Sequence, residues 1–92
     1  MIVRIATEGQ YELTTSEAAE LNKLDNAAVA ACEAGDEAGF HETYDRLLVF
    51  VRSNGSALAA EELVGSDVIL PPPDVTFDEA REDFTGEGLL PA

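Results

Sequence analysis

Carboxylates dominate the reactive side chains of this chain. Nineteen Asp and Glu stand against five Lys and Arg, a net charge of −14 over 92 residues. The densest acidic group is Asp74, Asp78, Glu79, Glu82 and Asp83. Hard oxygen ligands of this kind suit calcium or magnesium. Their spacing does not follow an EF-hand loop, and Asp78/Glu82 and Glu79/Asp83 are simple i, i+4 neighbours on a helix. A solvated acidic helix face is the plainer reading, and a small ligand- or divalent-cation-sensing module is the alternative.

Other chemistry lacks its parts. The single cysteine, Cys32, allows neither an internal disulfide nor a cysteine-built zinc site. It falls on the apolar side of a helical pattern, where a thiol acts as a small hydrophobe and its thiolate is disfavoured. The single histidine, His41, lies beside Phe40 at the edge of another apolar face, with no identifiable nucleophile to serve. The only lysine, Lys23, is mid-helix, and Gly86-Glu87-Gly88 is too short and too acidic to cradle phosphate. The run Pro71-Pro72-Pro73 has no second proline motif or flanking arginine, so it reads as a stiff connector and not as a ligand for an aromatic groove. The expectation is a non-enzymatic protein without catalytic residues, metal ligands or cofactor.

Charge also narrows the partners. Nucleic-acid binding needs clustered basic residues, which this sequence lacks. An anionic membrane surface would repel the chain, and no apolar segment approaches a membrane span, so direct insertion is not expected. Met1–Ala6 is strand-like and not a signal peptide, which makes the cytoplasm the default compartment. Acidity is compatible with a basic protein partner, and equally with plain solubility.

The elements that must position these residues form one small α+β domain, residues 1–92. Hydrophobic residues make up 46% of the chain, which argues against disorder. Ile2–Ala6 and Gln10–Leu13, joined by Thr7-Glu8-Gly9, predict an N-terminal β-hairpin. Thr14 and Glu17 have capping-box spacing, with Leu13 placed to staple onto Ala18. Leu21, Leu24, Ala28 and Ala31, with Val29 and Cys32 nearby, give the apolar face of a first helix. Gly35 fits its left-handed end. Asp36 caps a second helix whose broad face is Phe40, Tyr44, Leu47, Leu48 and Val51. The short break predicts an antiparallel helical hairpin. Asn54-Gly55 stops the second helix, and residues 58–63 read as irregular or one short helical turn.

Residues 66–92 form an arm on the 1–65 core. Proline excludes helix from Leu70 to Pro73, and Val68-Ile69-Leu70 is placed to add a strand to the hairpin's sheet. Thr76 and Glu79 repeat the capping-box spacing and predict a short acidic third helix. Thr85-Gly86-Glu87-Gly88 ends it, and Leu89-Leu90 is a further candidate strand. Val49 and Phe50 do not fit the one-sided wheel of the second helix: either the hairpin or arm covers them, or they belong to an exposed partner surface.

The ordered set Ser66-Asp67-Val68-Ile69-Leu70-Pro71-Pro72, Asp74-Val75-Thr76 and Gly86-Glu87-Gly88-Leu89-Leu90-Pro91 resembles the PspA-associated protein family, PspAA. Met1-Ile2-Val3-Arg4-Ile5 with Glu8-Gly9-Gln10-Tyr11 resembles that family's opening. Leu21-Asn22-Lys23-Leu24-Asp25 leading to Glu33-Ala34-Gly35-Asp36 resembles its centre. Each motif is modestly specific alone; their order covers essentially the whole chain. Thr7 and Phe77 depart from the pattern conservatively. The resemblance implies a partner of PspA, the coiled-coil relative of ESCRT-III proteins that protects membranes under envelope stress in the phage-shock response. It supplies no catalytic or cofactor residues. The expected role is therefore an acidic adaptor, a monomer or weak homodimer, with Val49, Phe50, Val68, Ile69 and Leu70 as the candidate partner-binding patch.

Overall fold

In the computed structural model, the described residues are 1–59 and 65–84. Their β-branched N-terminal run forms strand β1 (Ile2–Ile5), which turns back into β2 (Gly9–Glu12). The pair is antiparallel, with Ile2 opposite Glu12 and Ile5 opposite Gly9. Gly9 takes a positive φ as expected, but Thr7 in the turn also sits at φ 71°. A β-branched side chain is strained there, because its Cβ crowds the backbone.

Helix α1 (Thr15–Glu33) begins at a complete capping box. The Glu17 amide donates to Thr14 Oγ1, and the Thr14 amide donates to Glu17 Oε1. Gly35, at φ 71°, ends the helix, and Asp36 starts α2 (Glu37–Asn54) by accepting from the Gly39 amide. The two helices pack against each other as the helical hairpin. All five apolar positions predicted for α2 are buried: Phe40, Tyr44, Leu47, Leu48 and Val51. The α1 stripe differs in one place. Leu21, Ala28, Val29 and Cys32 are buried, Leu24 and Ala31 lie at the core's edge, and the fully buried fifth position is Asp25.

After α2 the chain returns to the sheet. Ser56–Ala57, for which no element was expected, form a short strand β3 on the outer side of β2. Gly55 makes that return possible. A Cβ there would stand 2.7 Å from the Val51 carbonyl oxygen and 2.9 Å from Tyr11 Cβ. Val68–Leu70 form β4, parallel to β1 on its other side, so the sheet order is β3-β2-β1-β4. The expected added strand is therefore present. Its approach is fixed by Asp67, whose Oδ2 accepts from the Ile2 amide while its own amide donates to the Ile2 carbonyl.

Alternation divides the sheet into two faces. Val3, Ile5, Val68 and Leu70 point into the core beneath the helices, and Arg4 and Ile69, paired side by side, point away. Pro72 to Val75 then make a tight turn in which the Val75 amide donates to the Pro72 carbonyl. Proline at the second position of such a turn is preset for it. Helix α3 (Phe77–Asp83) starts at Thr76, which accepts from the Glu79 amide. Its capping differs from the predicted box: the Thr76 hydroxyl itself donates to Glu79 Oε1.

Helix α3 packs on both α1 and α2, and its contacts with α2 are aromatic. Phe84 meets the rings of Phe40 and Tyr44 edge-on at 5.4 and 5.5 Å between centroids. Phe40, Tyr44 and Phe84 are all but excluded from water. Burying one side chain of this size is worth about 1.5–3 kcal/mol, so Phe84 is a substantial tether for the arm. The expectations for Thr85–Gly88, for Leu89-Leu90, and for 58–63 from residue 60 onward lie outside the described residues.

Candidate interaction surface

The five candidate partner residues fall in three different places. Val68 and Leu70 are 4% and 0% exposed core residues of β4, so the patch expected around them does not form. Three consecutive apolar residues in a strand cannot share a face, because neighbours alternate. Ile69 is the outward member, 62% exposed on the helix-free side of the sheet. Val49 and Phe50 lie together elsewhere. Val49 is 56% exposed and Phe50 is half-buried against the core.

Val49 and Phe50 line an open groove of about 580 Å³ with Glu20, Leu24, Asp45, Arg46, Ser53 and Asn54. Helix geometry explains the grouping. Asp45, Val49 and Ser53 form one i, i+4 row on α2, Arg46, Phe50 and Asn54 form the adjacent row, and Glu20 with Leu24 forms a row on α1. The antiparallel hairpin sets the early turns of α1 beside the late turns of α2. Leu24, Val49 and Phe50 give the groove an apolar floor, and the polar residues are its rim. The sequence reading placed Leu24 on the apolar face of α1 and Asn54 at the end of α2 but assigned neither to a partner surface, although these rows were present in it.

The groove sits in a strongly acidic surface. Among the described residues, Lys23 pairs with Glu20 at 3.4 Å, Arg46 with Glu42 at 2.5 Å, and Arg52 with Glu8. The Arg52 guanidinium reaches both Glu8 oxygens, linking α2 to the hairpin turn. These hydrogen bonds hold the Glu8 carboxyl below its ordinary range and raise Arg52 in turn.

Other reactive side chains have structural surroundings. Burial pushes the Cys32 thiol up, against a weaker opposing pull from Arg81. The thiol borders a small recess lined by Glu33, Arg81 and Phe84. His41 is exposed and touches the edge of Phe40. Asp25 is buried with a polar interaction made. Among the described residues, no three His, Cys, Asp or Glu side chains gather into a metal-binding group. The cation-sensing alternative therefore gains nothing from the geometry of Asp74, Asp78, Glu79 and Glu82. Among the described residues, no helix is long and apolar enough to cross a membrane.

These features define a two-layer α+β domain whose distinctive surface is an apolar groove in an acidic field. Residues 1–92 match the PspA-associated protein family, PspAA, and the chain belongs to that family. No curated protein and no solved structure matches it.

Proposed function

We propose that this chain is a non-enzymatic adaptor that acts by binding a PspA-type protein. The observation that carries the reading is the α1–α2 groove, where an apolar floor opens in the surface of a chain of net charge −14. Such a surface attracts a basic partner over distance and holds it by apolar contact at short range. Membership of a family described by its association with PspA supports the choice of partner. In this reading the domain works in the cytoplasm beside a coiled-coil, ESCRT-III-like membrane-stress protein, within the phage-shock type of envelope-stress response. Val49 and Phe50 contribute the apolar contact.

Co-purification from the native cell tests this. The tagged chain is expected to retain the PspA-type protein at low salt and to release part of it as salt rises. A tagged, folded chain that retains none of that protein even at low salt would overturn the proposal.

A further inference from the structure

We infer that the α1–α2 groove seats a single amphipathic helix whose apolar stripe is flanked by lysine or arginine. The inference rests on the adaptor reading and names the part of the partner that would be held. Dimension is the first argument. The groove's two α2 rows run from Asp45 to Asn54, about 14 Å at the rise of an α-helix. That length accommodates two to three turns of a docked helix, with anchors at i, i+3 or i+4, and i+7. Leu24, Val49 and Phe50 provide apolar footing on both sides of the channel.

Charge decides the chemistry of the flanks. Glu20, in an exposed contact with Lys23 that a bound cation would compete with, and Asp45 stand on opposite walls. The lining cation, Arg46, is drawn to Glu42. Ser53 and Asn54 end the groove at the C-terminus of α2, where the helix dipole adds negative potential. A lysine or arginine on either side of the incoming stripe therefore meets a carboxylate or a helix C-terminus.

The same charge disfavours a second copy of this chain as occupant. Two surfaces of net charge −14 would be opposed across a small apolar contact. A small anionic ligand meets the same repulsion.

Two measurements separate the groove from the broader reading. The first is affinity of the full chain for the purified PspA-type protein. Val49→Asp is expected to weaken it about tenfold or more, because a charge replaces an apolar anchor. Asp45→Lys is expected to weaken it and to flatten its salt dependence. Asn26→Asp, a charge of similar shape added on an exposed position of α1 outside the groove lining, should leave it unchanged, and thermal melts should show all three variants folded. If wild type binds and Val49→Asp binds equally well, the groove assignment falls while the adaptor reading stands. If wild type does not bind, the adaptor reading falls, and this inference with it.

The second measurement uses a synthetic leucine–lysine amphipathic helix and NMR. Shifts centred on Leu24, Val49 and Phe50, lost in Val49→Asp, support the groove's chemistry. Shifts spread over the whole acidic surface, or self-association of the chain through Val49 in sedimentation, overturn it.

Discussion

The Tyr44 hydroxyl donates to the carbonyl oxygen of Pro71, joining the middle of α2 to the residue that follows β4. This bond fixes where the arm leaves the sheet and begins its path toward α3. The Tyr44 ring meanwhile stacks on Phe40 and meets Phe84. One side chain thus contacts the arm at two points, Pro71 and Phe84. Tyr44→Phe keeps the ring and removes the hydroxyl, leaving the Pro71 carbonyl without that donor. The expected loss is about 1–2 kcal/mol by urea denaturation. Faster amide exchange at Ala80 and Phe84 than in the hairpin strands would place the loss in the arm.

Gly55 is required by space and not by backbone angle. Its φ is −72°, open to any residue, but an added Cβ would overlap Val51 and Tyr11. Gly55→Ala should cost about 1–3 kcal/mol through forced movement of α2 away from β2. The check is a chemical melt alongside loss of protection at Leu58, whose amide donates to Gln10 in the wild type.

Thr7 offers the opposite case. At φ 71° its β-branched side chain is strained, and asparagine tolerates this region far better. Thr7→Asn should raise stability by about 0.5–1 kcal/mol, judged against strain costs of this type. An unchanged or lowered melting temperature would contradict the assignment.

Glu8 and Arg52 tie the hairpin turn to α2 and give a pH-dependent contribution. Hydrogen bonding to Arg52 lowers the Glu8 carboxyl from its ordinary value of 4.5. A lowered folded-state value means the contribution is present above 4.5 and fades as pH falls through the lower folded value. Comparing wild type with Glu8→Gln should show a stability gap at neutral pH that closes in acid. Both partners are partly exposed, so the gap should not exceed about 1 kcal/mol and should shrink in salt.

The elements were legible where local rules agree. Thr14/Glu17, Gly35 and Asp36 mark the helix ends by hydrogen-bonding chemistry that needs no tertiary context, and all three stand where expected. The Phe40–Val51 face was equally plain, because broad apolar periodicity survives any packing. Asp25 was not read as interior, although it lies on the Leu21–Ala28–Cys32 stripe at helical spacing. Position indicated burial, residue type argued against it, and position prevailed. The patch was misplaced at β4 because Val68-Ile69-Leu70 has no polar residue to mark its phase. Only pairing with β1 determines that Ile69 faces out. Val49 and Phe50 were legible as exceptions to the wheel, but the role of Leu24 depended on how α1 lies beside α2.

The adaptor proposal meets its most direct test in calorimetric titration of the purified chain with the PspA-type protein of the same cell. The account predicts saturable binding at low ionic strength that weakens as salt is raised and is lost or sharply reduced in Val49→Asp. A folded chain and a folded PspA-type protein that give no heat and no complex by sedimentation at low salt would contradict it.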